Sequence, residues 1–128
     1  MARLDSDIVE AIDAAVTGRL GEVELTWKKE AALAVVMATI GYPNSYTSGS
    51  EIKNLEKANE INGITIFHAG TKAKNGKIIA NGGRVLSITA LASDVKSAQL
   101  KAYNAVDTID WQQGFCRHDI GWRAIDRK

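Results

Sequence analysis

Apolar and polar positions divide this 128-residue chain into a helix, several strands, a second helix and a short extended tail. Ile8, Ile12, Ala15 and Val16 recur at spacings of three and four, which places them on one face of a helix. Ser6 or Asp5 is placed to cap its start, and Gly18 or Gly21 to end it. A helix this short is marginal alone, so its stripe needs another surface to cover it. Residues 22–27 alternate, with Val23, Leu25 and Trp27 on one side, and predict a strand or an extended linker. Residues 31–40 form a run that is apolar at every position but Thr39. Its length, the Val35-Val36 pair and the Gly41-Tyr42-Pro43 turn after it favour a buried strand over a helix. Residues 44–50, rich in Asn, Ser, Thr and Gly, read as a loop.

Further on, residues 64–67 form a short β-branched run preceded by Asn62-Gly63. Asn75-Gly76 between residues 71–74 and 77–79 is a strong hairpin signal, because both residues tolerate positive φ. Asn81-Gly82-Gly83 is a second turn, and residues 84–91 predict the next strand. Along it Leu86, Ile88 and Ala90 face one way, and Val85, Ser87, Thr89 and Leu91 the other. Ser93 is placed to cap a helix with Asp94 in its first turn, and Val95, Ala98, Ala102, Val106 and Ile109 form its stripe. The tail has extended character over 115–122. The order predicts an α+β fold with a mostly antiparallel sheet.

Charge changes this picture by exclusion. Sixteen basic and 15 acidic residues leave a formal net charge of +1, without the basic excess of a nucleic-acid binder. The longest apolar run is far shorter than the ~20 residues of a membrane helix, and the acids of the first ten residues interrupt any signal-peptide core. A single cysteine, Cys116, allows no intrachain disulfide and fits a reducing cytosol. A soluble, cytoplasmic protein is expected.

Candidate chemistry sits where strands meet glycine-bearing turns: Gly41-Tyr42-Pro43, His68-Ala69-Gly70-Thr71 and Asn81-Gly82-Gly83-Arg84. Such glycines let backbone N–H groups approach a ligand and form anion-binding nests, or simply make tight turns. No Walker or dinucleotide-binding fingerprint is present. Arg84 and Arg117 offer planar donor forks for phosphate or carboxylate, although Arg117 could instead pair with Asp119. His68, at a strand end beside Gly70, reads as a hydrogen-bonding residue. Two distant histidines and one cysteine make a poor zinc set. The acids Asp5, Asp7, Glu10 and Asp13 lie on the first helix, without the Glu/Asn pair a magnesium–nucleotide site needs. A biotinyl or lipoyl carrier would present a lysine beside methionine at a hairpin tip, and no Met-Lys dipeptide occurs.

In order along the chain stand Arg3-Leu4-Asp5-Ser6-Asp7, Ala34-Val35-Val36-Met37-Ala38, Gly41-Tyr42-Pro43, Ser45-Tyr46 and Phe67-His68-Ala69-Gly70-Thr71. Asn81-Gly82-Gly83-Arg84-Val85-Leu86, Thr89-Ala90-Leu91, Ala102-Tyr103, Ala105-Val106 and Arg117-His118-Asp119-Ile120-Gly121-Trp122-Arg123-Ala124 follow. This succession resembles the C-terminal part of the phosphoribosylamine–glycine ligase family, ATP-grasp enzymes of purine synthesis, nearly end to end.

The resemblance implies a division at about residue 26. Residues 1–26 would be the closing helix and linker of an ATP-grasp region. Residues 27–128 would be the C-terminal domain, a β-rich fold of the rudimentary hybrid-motif type with one packed helix, closing one side of the cleft for phosphoribosylamine and glycine. The family's Arg-Phe-Gly-Asp-Pro-Glu stretch, which contributes magnesium ligands, does not occur in this sequence. ATP and magnesium are therefore expected for the whole enzyme but not on this segment alone, whose partner would be the ATP-grasp portion. Without it the segment is expected to be inactive; the alternative reading is a non-catalytic relic or a separately encoded subunit that completes the enzyme in trans. Arg84, Gly82, Gly83 and Arg117 would meet the ribose-phosphate or carboxylate end, and His68 and Thr71 the neighbouring wall. His118 stands where the family varies.

Overall fold

The computed structural model describes residues 1–126. Helix α1 (Ile8–Val16) is followed by strand β1 (Ala31–Thr39), the short β2 (Glu51–Ile52) and helix α2 (Leu55–Asn59). Strands β3 (Ile64–His68), β4 (Thr71–Lys74), β5 (Lys77–Ala80) and β6 (Arg84–Ala92) come next. Helix α3 (Val95–Thr108), β7 (Gly114–Phe115) and α4 (Trp122–Ile125) complete the order.

Two antiparallel sheets result, one in the order β3-β6-β1-β7 and one in the order β2-β5-β4. The apolar run at 31–40 is a strand, as its length and flanking turns predict. Its register sets Leu33, Val35 and Met37 opposite Ala90, Ile88 and Leu86 of β6, and β3 adds Ile64 and Ile66 beside Ala90 and Ile88. Helix α3 packs on β6 and β1. Its Ala98, Ala102 and Ala105 are fully buried, and side chains this small let the helix lie close to the strands. The opposite face carries exposed Val36 and Phe67.

The Asn75-Gly76 hairpin forms as expected, with φ of 51° and 75°, the two positive values a two-residue type I′ turn requires. Both expected helix caps shift by one residue. Asp7, not Ser6 or Asp5, caps α1 by accepting from the Val9 N–H at 2.8 Å, while Ser6 hydrogen-bonds Thr26. Asp94, not Ser93, caps α3 by accepting from the Ser97 N–H at 2.8 Å, and the Ser93 hydroxyl donates to that same carboxylate. In each case the carboxylate stands directly before the first helical residue, in the extended backbone of a cap.

Residues 22–27 form no strand beyond a bridge between Leu4 and Trp27, so the extended-linker reading holds there. Helix α1 packs against the Leu20–Glu22 turn through buried Ala11 and Ala14. Val9, Ile12 and Val16 remain open, the last 83% exposed. Of the predicted stripe, Ile12, Ala15 and Val16 are exposed and Ile8 is half-buried, so the face the helix covers is instead that of Ala11 and Ala14. Of the expected extended stretch at 115–122, only Phe115 is strand, and Trp122 begins α4. Among the described residues no helix is long and apolar enough to cross a membrane.

Candidate functional site

Three turns meet at the end of β1 where β6 begins. The buried Thr39 donates from Oγ1 to the Gly82 carbonyl at 2.7 Å and from its N–H to the Gly83 carbonyl at 2.8 Å. The Asn81 N–H donates to the Gly70 carbonyl at 2.7 Å, and the Ala69 and Gly70 N–H groups both reach the Val85 carbonyl. A Cβ on Gly70 would lie 2.7 Å from the Arg84 carbonyl oxygen, so two backbones cross here at a distance only glycine permits. The 39–46 loop joins them through Gly41, at φ +100°, where an added Cβ would collide with the Ser45 carbonyl.

Five of the six residues singled out in the sequence come together at this junction, and each takes a different part. Gly82 is half-buried, and among the described residues its N–H donates no hydrogen bond. Gly83 is buried beneath the rings of Tyr42 and Tyr46: a Cβ there would come within 2.8 Å of Tyr42 Cε2 and 3.2 Å of Tyr46 Cε1. Arg84 is exposed and pairs with no acid among the described residues. His68 Nδ1 and Thr71 Oγ1 share a hydrogen bond of 2.9 Å, so His68 is a hydrogen-bonding residue, as its place beside the turn suggested.

Arg117 is the sixth, and it stands apart. It lies beyond β7, across β1 from β6, and its guanidinium binds both carboxylate oxygens of Asp119 at 2.8 and 2.6 Å. That pairing raises the guanidinium pKa and holds the Asp119 carboxyl below its usual range, both chiefly through the side-chain hydrogen bonds. Tyr103 fastens the segment to α3. Its hydroxyl donates to the Arg117 carbonyl at 2.7 Å and accepts from the Ile120 N–H, and its ring stacks on His118. Burial, with Asp107 nearby, pushes the Cys116 thiol up, so it is not an activated nucleophile.

The chemistry available at the junction is one-sided. Residues 31–50 and 61–93 contain no aspartate or glutamate. Among the described residues no three histidine, cysteine or acidic side chains converge to hold a metal. The arrangement presents hydrogen-bond donors, a free cation and aromatic surface; it can hold and orient an anion. A surface depression of about 870 Å³ lies elsewhere, beside Trp27, Lys28, Lys29 and Lys101, and none of the six residues lines it.

Sequence reasoning placed Tyr42 in a candidate turn but did not bring Tyr42, Tyr46 and Thr39 against Gly82 and Gly83. The only signal was the closeness of the tyrosines to the Gly41 turn, because their partner, Gly83, is about 40 residues away in the chain.

The fold is a small helix-backed antiparallel α+β domain. The phosphoribosylglycinamide synthetase C-domain family model matches residues 32–123. The phosphoribosylamine–glycine ligase of Brucella melitensis is 56% identical across the whole chain, and the chain covers 30% of it. The chloroplastic ligase of Arabidopsis thaliana is 50% identical, with 24% of it covered. The crystal structure of the Thermotoga maritima ligase matches with a TM-score of 0.66 at 28% identity, over 86% of this chain and 27% of that one. The chain therefore belongs to the phosphoribosylglycinamide synthetase C-domain family, and it spans a quarter to a third of the relatives it matches.

Proposed function

We propose that this chain is the C-terminal domain of a phosphoribosylamine–glycine ligase. In that role it forms part of the cleft where glycine is joined to 5-phosphoribosylamine in de novo purine biosynthesis. The carrying observation is the family match over 32–123 together with 56% identity to a ligase across the chain's full length. The full reaction uses magnesium-bound ATP, which supplies the phosphoryl group that activates glycine's carboxylate. The absence of acids from 31–50 and 61–93, and of a metal-ligating cluster among the described residues, supports magnesium–nucleotide binding by the rest of the enzyme. The contribution of this domain is binding and orientation. Arg84 and the Gly82 amide receive the ribose-phosphate or carboxylate end of a substrate, and the His68–Thr71 pair shapes the adjoining wall.

In the same reading residues 1–26 are the closing helix and linker of the ATP-grasp portion, and 27–128 a domain of the rudimentary hybrid-motif type. The open face of α1, with Ile12 57% exposed, supports a partner surface of that kind. Arg117, already paired with Asp119, fits a structural clasp better than a substrate contact. The test is the complete ligase carrying Arg84→Ala. Loss of a charged hydrogen bond should raise the KM for phosphoribosylamine by about 10-fold or more. An unchanged KM for that substrate overturns the assignment of Arg84.

A further inference from the structure

The tyrosine pair covering Gly83 has no part in the reading above. A glycine beside a ligand loop is ordinarily understood as making room for the ligand. At position 83 the room is already taken, because the Tyr42 ring occupies the space a side chain would fill and Tyr46 lies against its edge. The two rings stand 6.4 Å apart, tilted by 56°. The loop that bears them is held by the Tyr42 N–H donating to the Thr39 carbonyl and by the seat of Ser45 on Gly41. Tyr46 remains 42% exposed, and neither phenol hydroxyl has a hydrogen-bond partner among the described residues. What covers position 83 is therefore tyrosine, and its chain neighbours are Gly82, whose N–H like that of Gly83 has no partner among the described residues, and Arg84, which pairs with no acid among them.

We propose that Tyr42 and Tyr46 form the side wall of a phosphomonoester cradle floored by Gly82 and Arg84, with Tyr46 the ligand-facing ring; this rests on the substrate-cleft reading above. The preference for a phosphate over an amino acid follows from charge. Glycine brings an ammonium as well as a carboxylate, and no acid lies in 31–50 or 61–93 to receive it. A sugar phosphate brings only negative charge, suited to an arginine fork and a backbone donor. Its ribose offers C–H faces to an aromatic ring, and its oxygens accept from the phenol.

The experiment is an NMR titration of the ¹⁵N-labelled chain with three separate probes: ribose 5-phosphate, inorganic phosphate and glycine, each to tens of millimolar. Ribose 5-phosphate should move the Gly82 and Arg84 amide signals, inorganic phosphate should bind more weakly, and glycine should leave both unmoved. Tyr46→Ala should weaken ribose 5-phosphate binding about five- to tenfold, the worth of one hydrogen bond with its ring contact. Tyr46→Phe, which keeps the ring and the fold, should lose only part of that. Unchanged affinity in Tyr46→Ala, with its amide spectrum still dispersed, overturns the tyrosine wall and leaves the cradle standing. Shifts with glycine and none with ribose 5-phosphate overturn the phosphomonoester assignment. No shift at Gly82 or Arg84 with any probe overturns both the wall and the reading beneath it.

Discussion

Gly83→Ala places the seating of the tyrosines under direct strain. The added methyl would meet Tyr42 Cε2 at 2.8 Å and Cδ2 more closely still, against the ~3.5 Å of ordinary carbon–carbon contact. The ring must withdraw by about 1 Å, and Tyr46, at 3.2 Å, has to yield as well. Gly83 has no left-handed φ, so the backbone tolerates alanine and the cost is steric alone. Overpacking of this kind costs about 1–3 kcal/mol. For a domain of this size each kcal/mol moves the thermal midpoint by roughly 3–5 °C. Urea unfolding followed by near-ultraviolet circular dichroism would read both the stability and the tyrosine environment. The decisive form is a double-mutant cycle, because Gly83→Ala in a Tyr42→Ala background has no ring to meet. The cost should then fall by at least half. An equal cost in both backgrounds refutes the seating of Tyr42 on Gly83.

Three further outcomes are expected. Ile88, fully buried between β1 and β3, should lose about 2–5 kcal/mol on Ile88→Ala, read from the urea midpoint; a loss below 1 kcal/mol would mean that the β6 core is not close-packed. Thr39→Val removes the donor to the Gly82 carbonyl and should cost about 1–3 kcal/mol while broadening the Gly82 amide signal; an unchanged thermal midpoint contradicts the bond. The Asp94 carboxyl is held below its ordinary 3.8, first by the Ser97 N–H and then by the Ser97 and Ser93 hydroxyls. A depressed carboxyl stabilises above its unfolded value, and that stability is lost as pH falls through the folded one. The midpoint difference between the chain and Asp94→Asn should therefore be full at pH 6 and shrink below about pH 4; a constant difference refutes the linkage.

The strongest sequence signals were those in which a local pattern repeats over many residues or a turn demands a particular backbone. Residues 31–38 are apolar along their length, α3 keeps its stripe for four turns, and Asn75-Gly76 can hardly be other than a hairpin. Residues 51–60 carry no such pattern. Strand β2 has two residues, and α2 has five, entered through Asn54 in a left-handed conformation with no side-chain cap. That helix exists because Ala58 is buried in the core and α2 packs on α3, a tertiary cause no local window contains. The one-residue cap errors have a similar root. Ser and Asp are comparable caps in general, and the choice between neighbours depends on where the first helical N–H groups point.

Glycine was the most ambiguous letter in the sequence, and the junction separates three reasons for it. Gly70 is glycine because the Arg84 carbonyl lies 2.7 Å from where its Cβ would be, and Gly83 because two tyrosine rings need the space. Gly82 is the remaining case. A Cβ there would stand 3.2 Å from Gly70 Cα, tight but not prohibitive, and its N–H, like that of the covered Gly83, is left without a partner among the described residues. A shared motif therefore does not mean a shared role. In Asn81-Gly82-Gly83-Arg84 the second glycine seats the tyrosine rings, the first keeps an open N–H, and the arginine pairs with no acid among the described residues, in a stretch of chain that contains none. That division follows from packing: tyrosine fills the space over Gly83, which leaves Gly82 and Arg84 as the open positions of the turn.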